Sequence, residues 1–179
     1  MTATLHDEAN PRCDNPWFSM EDDRFWMQWA LEEAEQALLE GDVPVGAVIV
    51  RGGEIVGRGR NRTEKTGVPF EHAEVVAMRD AAARHDRWIL AESVVYVTVE
   101  PCVMCVGAML LARVPRVVFG AREPKTGACE SVLAIPNEPR LEHRIAVVGG
   151  VESERCAALL QSFFRMQRRR EAEAEAPEG

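Results

Sequence analysis

From about Glu21 to Glu40 the apolar residues Phe25, Trp29, Leu31, Ala34, Leu38 and Leu39 recur at a helical period. Acidic Glu21, Asp22 and Asp23 open the segment, where a helix dipole favours them, and Gly41 closes it. A helix is predicted there, with Trp26 and Trp29 as packing residues. Val43 to Val50 is an apolar, β-branched run, Arg51-Gly52-Gly53-Glu54 a turn, and Ile55 to Arg58 a returning strand, together a hairpin. A Gly- and Pro-containing loop through Thr63, Lys65, Gly67 and Pro69 follows, placed to wall a site near His72. Glu71 to about Arg84 is alanine-rich and helical, and Val94 to Val99 reads as a buried strand. Pro101 is expected to start a helix running to about Ala112, with Pro115 marking its end.

Val117-Val118-Phe119 is a further short strand, so strand, helix and strand form a βαβ unit whose right-handed crossover makes its strands parallel. Ala121 to Arg140 reads as loop, Ile145 to Val148 as a last strand and Glu152 to about Arg170 as a last helix. The expected fold is a three-layer α/β domain: a mixed sheet of about five strands with helices on both faces. The expected division is a flexible arm over 1–19, one domain over 20–170, and an acidic tail over 171–179 that frays or extends the last helix.

Composition narrows the class. An apolar fraction of 46% and a charged fraction of 28% are those of an ordinary globular protein. No run approaches the roughly 20 apolar residues of a membrane span, and no signal peptide is expected. Five cysteines, an odd number, fit a reducing compartment such as the cytoplasm better than a disulfide framework. A net charge of −8 argues against a surface that coats nucleic acid generally but leaves room for a local basic patch. Arg165, Arg168, Arg169 and Arg170 could form one; the plain alternative is a solvated helix end.

The candidate chemistry lies in Glu71-His72-Ala73-Glu74 and Pro101-Cys102-Val103-Met104-Cys105. His72, Cys102 and Cys105 are ligand types that zinc prefers, and three protein ligands leave a fourth position for water, as in catalytic sites. Cys102 and Cys105 share a face of a first helical turn. At helix N-termini facing a metal, His72 and Glu74 can point into one site, and the dipoles favour thiolates. Glu74 is then placed to move protons. Alone, the cysteine pair could be a redox couple or half of a structural zinc site. The first leaves His72 and Glu74 unexplained, and the second lacks a fourth ligand at a typical spacing from Cys129, Cys156, His85 or His143.

The combination H-x-E with P-C-x-x-C is the signature of zinc deaminases. Flanking residues extend the match: Val43-Pro44-Val45-Gly46-Ala47-Val48, Asn61-Arg62, Tyr96 through Pro101, Val117 through Arg122, Lys125-Thr126-Gly127 and Phe163-Phe164-Arg165-Met166. From about Glu21 to Arg169 the chain resembles the bacterial tRNA-specific adenosine deaminases of the cytidine-deaminase fold. The resemblance implies one Zn2+ per chain on His72, Cys102 and Cys105, with Glu74 as proton shuttle. It implies that Asn61 and the backbone near Ala73 contact a flipped adenine nucleotide and that Val45 helps form the pocket floor. It places Glu123 near the ribose and the Phe164 and Arg165 region against the anticodon stem-loop. It further implies a homodimer that edits adenosine to inosine at the wobble position of a tRNA anticodon. The apolar run Val106 to Leu111, with Met109 and Leu110, is expected to extend onto the partner.

The chain departs from this family at Phe70-Glu71, where Thr-Ala is usual, and at Glu123, where Asp is usual. A ring and a negative charge at the site mouth would suit the competing reading, a deaminase of a small-molecule purine or cytosine derivative. A third reading, an inactive zinc-stabilised partner of a deaminase, is opposed by the intact Glu74.

Overall fold

A computed structural model of the protein describes residues 20–174. The expected arm over residues 1–19, Cys13 within it, and the end of the acidic tail lie outside the described residues. Helix α1 spans Met20–Leu39, and the hairpin is β1 (Gly46–Arg51) and β2 (Glu54–Arg60). A single helical turn, α2 (Thr63–Thr66), interrupts the expected loop before α3 (Ala73–His85). Strand β3 (Ser93–Val99), helix α4 (Val103–Leu111) and strand β4 (Arg116–Ala121) make the βαβ unit. A 3-10 turn at Ile135–Asn137, strand β5 (Ala146–Gly149) and helix α5 (Ser153–Ala174) complete the domain. Four residues of the acidic segment after Arg170 thus continue α5.

The five strands lie in the order β2-β1-β3-β4-β5. β1 pairs antiparallel with both β2 and β3, while β3–β4 and β4–β5 are parallel. The sheet is therefore mixed. β3 lies at its centre, and all seven of its residues are buried, in keeping with the buried strand expected over Val94 to Val99.

Side-chain alternation distributes the strands between two cores. Ala47, Ile49, Val95, Val97, Val117 and Phe119 pack with Ala73, Ala77 and Ala81 of α3 and Val106 and Met109 of α4. On the other face, Val48, Val50, Val94, Tyr96 and Val118 pack with Met27, Ala30 and Leu31 of α1 and Cys156 of α5. Trp26 and Trp29 pack at the margin of this second core, as expected. Three layers result: α3 and α4, the sheet, then α1 and α5. No helix among the described residues is long and apolar enough to cross a membrane.

The seam between β2 and α3 is unusually close. A Cβ on Gly59 would lie 2.3 Å from both the Ala73 carbonyl oxygen and the Ala77 nitrogen, and one on Gly57 would lie 2.4 Å from the Ala77 carbonyl oxygen. Only glycine permits this approach of backbone to backbone. The seam fixes where α3 begins, and its first residues follow directly on His72.

Two expectations need correction. Pro101 does not occupy the first helical position: Cys102 is the N-cap of α4, so Pro101 precedes the cap. Met109 does not reach outward, because it is fully buried in the α4-side core. The exposed residues of α4 are instead Val103, Met104 and Leu111. A helix that is apolar on every side carries no periodicity to indicate which side meets the sheet.

Candidate active site

Two helix N-termini meet at the site. His72 is the N-cap of α3 and Cys102 the N-cap of α4, both in extended backbone conformation. Each closes its helix by accepting a backbone bond, Val76 N–H to His72 O at 2.9 Å and Val106 N–H to Cys102 O at 3.0 Å. Cys105 lies one turn into α4 and is fully buried. The sequence therefore places two metal-type ligands at caps, where the chain turns and a side chain projects beyond the helix end.

His72 Nδ1, Cys102 Sγ and Cys105 Sγ all lie within 4.8 Å of one another. The sulfur atoms are 3.7 Å apart, and Nδ1 is 3.7 Å from Cys102 Sγ and 3.5 Å from Cys105 Sγ. Zinc–sulfur bonds of about 2.3 Å and zinc–nitrogen bonds of about 2.05 Å, arranged tetrahedrally, require edges of roughly 3.8 Å and 3.6 Å. The observed triangle has those edges. The donor set, two thiols and one imidazole, is also the chemistry zinc selects. The residues fit the ion.

The electrostatics agree. The Cys102 thiol is held well below its ordinary range by the hydrogen bond from the Cys105 thiol, against burial and with help from His72. Cys105 is pushed up by that same bond, by burial and by the Glu74 charge. One proton is thus shared within the pair, and a divalent cation favours release of it. His72 is pushed up by its contact with Cys102 despite burial. Glu74, on the first turn of α3, is 4% exposed, and burial pushes its carboxyl up against the opposing pull of its own backbone N–H and of His72.

The other expected contacts are only partly assembled around this centre. The Asn61 side-chain oxygen accepts from the Ala73 N–H at 3.2 Å, and the Asn61 N–H donates to Val45 O at 3.0 Å. Val45, Asn61 and Ala73 are therefore one connected unit beside His72. Phe164 and Arg165 lie on α5, and with Lys125, Gln161 and Arg168 they line a groove of about 500 Å³. One oxygen of the Glu123 carboxylate, Oε1, accepts from the Lys125 N–H at 2.8 Å and fastens the turn that carries the lysine. Glu71 is buried, and its carboxylate pairs with both terminal nitrogens of Arg79, Oε2 with Nη2 at 3.0 Å. That guanidinium holds the Glu71 carboxyl below the usual range despite burial. Its charge is paired with Arg79 of α3 rather than offered at the mouth, while Phe70 is exposed.

Two buried carboxylates were not visible in the sequence as part of this region. Asp42 accepts from the Val43, Glu64 and Lys65 N–H groups and from the Thr63 hydroxyl, tying α2 in place. Glu100, at the end of β3 and 3% exposed, gathers backbone N–H groups from residues 123 to 131. The one available signal was a charged residue ending an apolar, fully buried strand.

A β-rich sheet with a His/Cys/Cys triangle and a buried carboxyl at two helix N-termini defines a zinc-deaminase type of domain. The profile of the cytidine and deoxycytidylate deaminase zinc-binding region matches residues 20–121. A protein of Streptococcus pyogenes serotype M18 named tRNA-specific adenosine deaminase is 43% identical over 86% of this chain and 96% of its own length. One of the same name from Bacillus subtilis is 40% identical over 87% of this chain and 96% of its own. A structure solved in a study of A-to-I editing by tRNA:A34 deaminases superposes with a TM-score of 0.73, at 36% identity, over 76% of this chain and 99% of that one. The chain belongs to the tRNA-specific adenosine deaminases of the cytidine and deoxycytidylate deaminase family.

Proposed function

We propose that the protein hydrolyses adenosine to inosine, releasing ammonia, at the wobble position of a tRNA anticodon. The observation that carries this reading is the tetrahedral-edge triangle of His72, Cys102 and Cys105 with the buried Glu74 carboxyl beside it, in a chain of this family. These three ligands would hold one zinc per chain. Bound zinc supplies Lewis-acid activation of a water at neutral pH.

Glu74 takes a proton from the attacking water and delivers it to the adenine N1, which makes C6 electrophilic. Once the hydroxyl has added at C6, Glu74 takes that hydroxyl's proton and gives it to the departing amine, so that water and adenosine give inosine and ammonia with the carboxylate restored. A carboxyl that burial pushes up carries this proton more readily near neutral pH than an exposed one. The Asn61 amide and the Ala73 backbone orient the base, and Val45 forms the floor beneath it. The base must leave its stack to enter, which suits an unpaired anticodon loop. Glu123 lies near the ribose. Phe164 offers an aromatic face, while Lys125, Arg165 and Arg168 offer cations to phosphates.

The cytoplasm is the proposed compartment, supported by the free thiols of Cys102, Cys105, Cys129 and Cys156. A homodimer is proposed on the exposed apolar strip of Val103, Met104 and Leu111 with Trp88 and Leu141, which line one groove. A monomer by light scattering at micromolar concentration, with activity intact, would remove that part. The small-molecule reading loses its charge argument, because Glu71 pairs with Arg79.

Incubation of the purified protein with an anticodon stem-loop, or with free adenosine, tests the substrate class by counting inosine. Turnover of the stem-loop should weaken with salt by about 0.7 log units per log of salt for each single-strand phosphate contact. Arg165→Ala with Arg168→Ala should raise the stem-loop KM and flatten that slope at unchanged zinc content. Equal turnover of free adenosine, indifferent to both arginines, would overturn the tRNA reading.

A further inference from the structure

Glu100 sits two residues ahead of Cys102, where β3 gives way to the metal-side helix. The residue is 3% exposed, yet among the described residues no Arg or Lys hydrogen-bonds to its carboxylate. Oε1 accepts the N–H groups of Cys129 at 3.2 Å and of Glu130 and Ser131 at 2.8 Å each. Oε2 accepts the Glu123 N–H at 3.1 Å and the Ser131 hydroxyl. Burial alone would raise this carboxyl, but the donors outweigh it and hold it below the usual range. Four backbone N–H groups on one buried carboxylate fix both ends of the segment 123–131.

The same segment is tied to the metal strand elsewhere. Ala128 N–H donates to Pro101 O at 2.8 Å, and Cys102 forms an antiparallel bridge with Gly127. A Cβ on Gly127 would fall 2.5 Å from Glu100 Cδ, so a glycine is required for the carboxylate to lie under the loop. Lys125, within this segment, lines the groove with Phe164, Arg165 and Arg168. The clamp therefore joins the strand end that leads into Cys102 to the loop that completes the basic groove.

We propose that Glu100 is a positioning residue for RNA: it fixes the segment 123–131 so that Lys125 stands at the groove, and acts on substrate through that lysine rather than by contact. This rests on the tRNA reading above. A loop that binds the substrate equally before and during reaction changes KM and leaves kcat alone. Glu100→Gln puts amide hydrogens against backbone N–H donors, whereas Ser131→Ala deletes one donor at an exposed residue and leaves the fold a simple path.

The test measures kcat, KM and zinc content with an anticodon stem-loop for wild type and both variants. Glu100→Gln should raise KM by roughly tenfold, as expected for spoiling a buried hydrogen-bond acceptor, and Ser131→Ala by roughly threefold. In both, kcat should stay within twofold and zinc should be unchanged. KM within twofold of wild type in zinc-loaded Ser131→Ala and Glu100→Gln overturns the proposal. So does a loss of zinc with falling kcat, which would make Glu100 a support of Cys102 alone. If Glu100→Gln does not fold, Ser131→Ala decides the matter by itself. A wild-type protein that fails to turn over the stem-loop would instead refute the tRNA reading, a result visible before any variant is made.

Discussion

On the face of the sheet covered by α1 and α5, Asp23 accepts from the Arg116 guanidinium at 2.7 and 2.8 Å and from the Tyr96 hydroxyl at 3.0 Å. On the face covered by α3 and α4, two thiols, an imidazole and a carboxyl converge. Both clusters are largely buried, and a lone charge there is costly. In the first, opposite charges meet and close the account locally. In the second, like-charged acids crowd one another: Cys105 is pushed up by Cys102 and by Glu74 as well as by burial. The contrast separates a cluster whose charges are matched within the fold from one whose donor set fits a cation.

Breaking the receiving cluster should have the largest effect. Cys105→Ser removes one corner of the ligand triangle, so zinc by metal analysis should fall well below one per chain and deamination should fall with it. Full zinc retention in this variant would sink the ligand assignment. Glu74→Gln should keep zinc and fold yet lose at least the 10²–10⁴-fold, approximately, that one positioned proton-transfer group contributes. More than a tenth of wild-type activity would assign the shuttle to another residue.

The opposite face should respond in the opposite currency. Asp23→Asn takes the buried carboxylate away from the Arg116 guanidinium and the Tyr96 hydroxyl, and about 3–5 kcal/mol of stability should disappear. Thermal melting should show this as a drop of roughly 10 °C in Tm. The kcat of the surviving folded protein should stay within twofold, and a larger change in kcat would mean the two faces are coupled.

The legible parts of this molecule were those written in local periodicity and in close motifs. β3 announced itself through Val94 to Val99, and the parallel β3–β4 pair followed from the crossover through α4. The ligand triangle was legible because His72, Cys102 and Cys105 sit in short motifs whose residue types have few other uses. Glu100 and Asp42 were not, since their partners are backbone N–H groups of distant residues, and every residue but proline has one. Glu71 misled for a related reason. Its partner Arg79 lies two helical turns on, and nothing in the residue type says that a charge points inward. α4 concealed its phase by being apolar all round, which placed Met109 on the wrong side.

The glycine seam between β2 and α3 has a consequence for remaking this pocket. Gly57 and Gly59 leave no side chain that a substitution could trim, and any enlargement drives the added Cβ into α3. The entry angle of α3, and with it the placement of His72 and Glu74, is accordingly a fixed datum for any redesign. Variation has room instead on the far side of His72, where the stretch from Lys65 to Phe70 is largely exposed. An attempt to retarget the enzyme to another base should keep the seam untouched and draw its libraries from that rim.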